Sequence, residues 1–170
     1  MRDDAAVQAS STPTPLRVAF EARDHDGIVA ALAPDVVLTS PIFEVPFTGI
    51  DEAGDLFAVL LDALWPITYV DEIPGDPHVL HFTAEIKGKT LEGIDLLRFD
   101  DQGRIKEITV FFRPFPAVAA FLSETGPKLA RRRGGGGRAA VLSVAGAPVS
   151  ALMRTTAATG PRLLGLRRSK

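Results

Sequence analysis

Leu91-Glu92-Gly93-Ile94-Asp95-Leu96-Leu97-Arg98-Phe99-Asp100-Asp101-Gln102-Gly103-Arg104-Ile105 reads as a strand, a tight turn and the opening of a second strand. Leu91, Leu97 and Phe99 share the parity of Asp95, so a period of two places one carboxyl within an apolar face. Asp100-Asp101-Gln102-Gly103 gathers turn-forming side chains and a glycine. Ile105 to Phe112 resumes the alternation up to Arg113-Pro114. Strands joined by so short a Gly-containing turn are antiparallel neighbours.

The same pattern extends towards the N-terminus. Val79 to Lys87 turns at Gly88 into the quoted strand, and Ile67 to Ile73 ends at Pro74-Gly75. Before these lies the longest predicted helix, Glu52 to Leu64, with Asp51 as its cap. Its apolar residues Ala53, Leu56, Phe57, Leu60, Leu61 and Leu64 form one broad stripe. Val36 to Ser40 reads as a strand ended by Pro41. Two short helices precede it, one from Leu16 to Ala22 and one from Gly27 to Leu32 with Asp26 as N-cap. A last helix, Ala117 to Ser123, closes the body at Gly126-Pro127. The predicted fold class is α+β: a curved antiparallel sheet forming a cone closed by the N-terminal and middle helices. The interior of such a cone is a natural small-molecule pocket.

The net charge of −2 over 170 residues conceals a division. Residues 1–126 hold all 21 acidic and 9 of the 19 basic residues, a balance of −12; residues 127–170 hold 10 basic and no acidic residues, +10. We therefore expect a flexible lead-in over 1–14, a cone domain over 15–126 and a disordered basic tail over 127–170. Zero cysteines exclude disulfides, thiolate metal sites and thiol catalysis. No apolar run approaches the roughly 20 residues of a membrane span. Nor does the start resemble a secretory leader, so a cytoplasmic protein is expected.

The element order and the Ile94-Asp95-Leu96-Leu97-Arg98-Phe99-Asp100-Asp101-Gln102-Gly103-Arg104-Ile105 stretch resemble the nuclear-transport-factor-2-like superfamily. The likeness is nearest to its SnoaL-like polyketide cyclase and ketosteroid isomerase branches. It spans about residues 15–126 and implies the cone fold; the activities hosted on that fold are diverse. In the isomerase branch the resemblance implies a protonated Asp, donating to a developing oxyanion, at Asp95. It also implies a basic Asp where this chain has Ser40, and a Tyr on the first helix, whereas the one tyrosine here is Tyr69. The related epoxide hydrolases place an Arg where this chain has Gly93. The cyclase arrangement, an Asp assisted by a His on the preceding strand, matches Asp95 and His81.

Whether His81 shares a face with Asp95 depends on the turn at Gly88. A two-residue Gly88-Lys89 loop pairs Lys87 with Thr90, sets Phe82 opposite Asp95 and turns His81 away; an odd-length loop would bring His81 round. The alternation of Phe82, Ala84 and Ile86 with His81, Thr83 and Glu85 favours His81 facing out. Phe82, Leu97, Ile108, Val110 and Phe112 are expected to line the pocket, with Ser40 and Thr39 at its strand end and Glu44 in the adjoining loop. His25 and His78 lack metal-ligand spacing, so neither a metal nor a cofactor is expected. Phe111, Ile94 and Leu96 fall on the opposite sheet face, an apolar patch that predicts a homodimer.

The tail, with Arg131-Arg132-Arg133 and Gly134 to Gly137, could attract nucleic acid or an anionic membrane; a dispensable extension is favoured. Two function classes stay open. One is a small-molecule-binding domain with an apolar pocket around Asp95. The other is an isomerase or cyclase-type enzyme using Asp95 as general acid/base on an apolar ring ketone or polyketide-like substrate.

Overall fold

The computed structural model describes residues 12–134. Its elements are α1 (Pro15–Glu21), α2 (His25–Ala31), β1 (Leu32–Thr39), β2 (Phe47–Thr48), α3 (Gly49–Ala63), β3 (Ile67–Ile73), β4 (His78–Ile86), β5 (Lys89–Phe99), β6 (Ile105–Arg113) and α4 (Phe115–Arg132). The strands form one curved, unclosed six-stranded sheet in the order β2-β1-β6-β5-β4-β3. Helices α1, α3 and α4 contribute Leu16, Phe20, Leu56, Phe57 and Phe121 to a core shared with Leu38, Leu80, Phe82, Leu91, Leu97 and Ile108 of the sheet. No helix among the described residues is long and apolar enough to cross a membrane.

The β3–β6 meander is antiparallel as expected, but β1 lies parallel to β6. The β1 strand also begins earlier than expected, at Leu32. Its register slips between Leu32 and Val37, across Pro34, which has no N–H to donate to a ladder. The N-cap of α2 is Asp24 rather than Asp26, its carboxylate accepting from Gly27 N at 3.0 Å. Helix α3 starts at Gly49, two residues before Asp51, so its N-cap is Thr48 rather than Asp51; Thr48 N donates to Glu52 Oε2 at 2.8 Å.

The turn in the quoted stretch forms as its side chains dictate. Asp100 Oδ1 accepts from Gln102 N (2.9 Å) and Arg104 N (2.8 Å), while Gly103 takes a φ of 76°. The β4–β5 turn differs from expectation. Its central residues are Lys87 and Gly88, both at positive φ, rather than Gly88 and Lys89. Ile86 pairs with Lys89, so Leu80 stands opposite Asp95 and Phe82 opposite Gly93. The loop still has two residues, so every side chain keeps its expected face.

The C-terminal boundary requires a larger correction. Helix α4 does not end at Ser123 but runs to Arg132, with Gly126 and Pro127 buried inside it. Arg132 Nε donates to Asp55 Oδ1 at 2.7 Å and Arg133 Nη1 to Glu52 Oε1 at 3.4 Å, tying the helix end to α3. The first residues assigned to a basic tail thus belong to the folded body. The lead-in over 1–11 and the tail from 135 lie outside the described residues.

Candidate functional site

A cavity of about 210 Å³ lies between the inner sheet face and helices α1, α3 and α4. Its wall is overwhelmingly apolar. Six of the residues expected there line it: Asp95, Ser40, Phe82, Ile108, Val110 and Phe112. Leu97 does not. It is completely buried in the core beside Ile108, its β6 partner, and makes no part of the wall. Thr39 and Glu44 are exposed and lie off the cavity.

Gly93 makes the centre of this wall possible. Phe82 and Phe112 flank it on the neighbouring strands, and a Cβ on Gly93 would lie 2.7 and 2.9 Å from two atoms of the Phe82 ring. With no side chain in the way, Phe82 leans across β5 and meets Phe112 edge to face at 6.2 Å. Tyr69 meets Phe82 from the other side at 5.9 Å, and Phe121 closes the row on Phe112 at 4.9 Å.

Asp95 is the only carboxylate on the wall among the described residues. It is half-buried, its side chain opening onto the cavity. No protein group among the described residues hydrogen-bonds its carboxyl. Desolvation therefore acts unopposed and pushes its pKa up to about 7. Such a carboxyl exists in both protonation states near neutrality, the condition a general acid/base needs.

Tyr69 is not on the first helix, where the resemblance implies a tyrosine, yet it lines the same cavity from β3. Burial, and next the charge of Asp95, hold its phenol well above the ordinary range, so it is a neutral hydrogen-bond donor. Its parity with Ile67 was the available signal. Ser40 Oγ accepts from Ile42 N at 3.1 Å, a local turn bond on the cavity wall.

His81 is on the outer sheet face, as the alternation favoured, and cannot assist Asp95. Its Nδ1 donates to Asp71 Oδ2 (2.9 Å) and its Nε2 to Glu92 Oε1 (3.0 Å). The bond to Asp71, with that to Glu92, raises its pKa despite some desolvation. His78 is not in a turn but on β4, where Nε2 donates to the buried Glu72. His25 Nε2 donates to Gly54 O. No cluster of three potential metal ligands occurs among the described residues.

The second half of α4 supplies wall that was not foreseen: Thr125, Leu129, Ala130 and Arg133. The Arg133 guanidinium stacks over Phe47 at 5.4 Å.

The SnoaL-like domain family matches residues 16–108. A steroid delta-isomerase from Pseudomonas aeruginosa is similar in structure, with a TM-score of 0.61 at 29% identity over 69% of this chain and 85% of that one. An uncharacterized protein with a cystatin-like fold from Silicibacter pomeroyi DSS-3 gives 0.62 at 22% identity, over 69% and 82% of the two chains. An NTF-2 like protein of unknown function from Burkholderia xenovorans LB400 gives 0.51 at 16% identity, over 58% and 77%. These last two share the fold. No curated protein sequence matches the chain.

Proposed function

The chain belongs to the SnoaL-like family, and on that footing we propose that its cavity binds a compact, largely apolar carbonyl compound and that Asp95 moves a proton on it. The observation that carries this reading is the lone carboxyl, with its pKa raised to about 7, in an apolar wall that also holds a phenol. The steroid delta-isomerase resemblance supports the reaction class.

Size sharpens the ligand class. A cavity of about 210 Å³ exceeds the roughly 150 Å³ that holds benzene and is smaller than the ~300–1,000 Å³ of drug-sized sites. One or two fused rings suit it. The chemistry follows from the two polar groups. Ionised Asp95 removes a proton from the carbon next to the carbonyl. Tyr69 donates a hydrogen bond to the oxygen as negative charge gathers there. Protonated Asp95 then returns the proton to the same carbon or to a conjugated one. The proton is conserved, so the cycle closes without a co-reactant.

The test is α-proton exchange of cyclic enones and bicyclic ketones in D2O, followed by NMR with the wild type and Asp95→Asn. The expected result is exchange that falls about 10²- to 10⁴-fold in the variant. Binding without exchange would leave a ligand-binding module, a reading that Ser40 in place of a base favours. Exchange that survives the substitution would sink the role of Asp95.

We also propose a homodimer through the outer sheet face, where Ile94 and Phe111 are paired across β5 and β6 and both exposed. A cytoplasmic location is proposed on the sequence argument alone.

A further inference from the structure

Outside the cavity wall, one polar cluster ties α1 to β3 and β4 around Glu72. A bulge in β3 between Tyr69 and Asp71 re-phases the strand, so Tyr69 and Glu72, three residues apart, pair with Phe82 and Leu80 and face the same inner side. Glu72 is almost fully buried, with 4% of its side chain exposed. Its Oε1 accepts from Thr14 N (2.8 Å) and His78 Nε2 (2.9 Å), and its Oε2 accepts from Arg17 Nη1 (3.1 Å). Arg17 Nε donates in turn to Glu21 Oε1 at 3.1 Å. So held, the Arg17 guanidinium sits over the Tyr69 ring, 5.1 Å from its centroid.

We propose that Arg17 is a positioning residue for Tyr69: clamped by Glu72 and Glu21, it fixes the phenol in the cavity wall and strengthens its hydroxyl as a hydrogen-bond donor. This deepens the proposed function and rests on Tyr69 facing the ligand's carbonyl oxygen. The physical basis is direct. A cation over an aromatic face attracts the ring and draws electron density from it. The charged groups acting on Tyr69 are Asp95 from β5, Glu21 and Arg17 from α1, and Glu72 from its own strand; of these only Arg17 favours the phenolate. Removing Arg17 leaves three carboxylates against the phenol and no compensating charge.

Tyr69 is the one tyrosine in the chain, so its signal needs no assignment. The experiment replaces it with 3,5-difluorotyrosine, a more acidic phenol whose titration falls correspondingly lower, and reads it by ¹⁹F NMR in full-length wild type, Arg17→Met, Arg17→Gln and Arg17→Lys. The expected result is a rise in phenol pKa of about 0.5–1 unit, a roughly 3- to 10-fold weaker acid, in the methionine and glutamine variants. The lysine variant should stay near wild type. Where α-proton exchange occurs, its rate should fall by the same factor with ligand affinity little changed. An unchanged phenol pKa in a folded Met or Gln variant would overturn the proposal. Loss of folding in both would overturn it too, because Arg17 would then hold the fold rather than the ring. The phenol reading needs no ligand, so failure to find a substrate counts against the proposed function alone.

Discussion

Phe82 lies across Gly93, its ring occupying the space that any β-carbon at that position would need. The contact sets the cavity's shape, because Phe82 is the hub of the Tyr69–Phe82–Phe112 row. Gly93→Ala should force the ring off its rotamer and lower stability by about 1–3 kcal/mol. Thermal melts check the stability, and ligand titration should show weaker binding.

Acid should expose the role of Glu72. Burial alone would raise its pKa, but the bonds from Thr14 N, His78 and Arg17 outweigh that and hold it below the ordinary carboxylate range. A carboxyl with a lowered folded pKa stabilises the protein above its unfolded value, and the effect is lost as pH falls through the folded one. Glu72→Gln should therefore lose about 2 kcal/mol at pH 7 and show a flatter decline than wild type between pH 5 and 3. Urea midpoints across that range are the measurement.

The end of the body can be located by truncation. A chain stopped after Gly126 loses Leu129, Ala130 and Arg133 from the cavity wall and the Arg132–Asp55 pair. It should be less stable by about 2–4 kcal/mol. A chain stopped after Gly134 keeps every described contact and should melt like the full-length protein.

Association should depend on the outer sheet face. Phe111 is 55% exposed and Ile94 38%. Phe111→Glu would place a charge in the middle of a proposed interface. Light scattering at micromolar concentration should show a dimer for wild type and a monomer for the variant, with the melting of the isolated fold little changed.

The meander was readable because its turns are written in side chains: Asp100 to Gly103 has both the accepting carboxylate and the glycine. The Lys87-Gly88 turn was harder, since nothing local distinguishes Lys87 from Lys89 as the partner of Gly88. The faces are the same for either turn because a slip between two-residue loops preserves parity. Gly126-Pro127 carries strong stop signals and predicts an earlier end for α4 than Arg132. Burial of both residues, and ion pairs from Arg132 and Arg133 to α3, outweigh those signals. Asp95 was visible as a carboxyl within an apolar strand. The place of Tyr69 is not legible in the sequence, because sharing a wall with Asp95 depends on β3 pairing with β4, and its Arg17 clamp depends on a bulge that no spacing announces. Leu97 shares a parity with Asp95 but lies where the core is filled, a distinction that alternation alone does not carry.

The titration of Asp95 bears most directly on the whole account. With aspartate labelled at Cγ, the Asp95 resonance can be identified by its absence from Asp95→Asn and followed from pH 3 to pH 9. The expected midpoint is about 7, with no corresponding step in the variant. A midpoint near 4, the ordinary value for an exposed aspartate, would mean that water reaches the carboxyl freely. That result would contradict an acid/base group held in an apolar cavity.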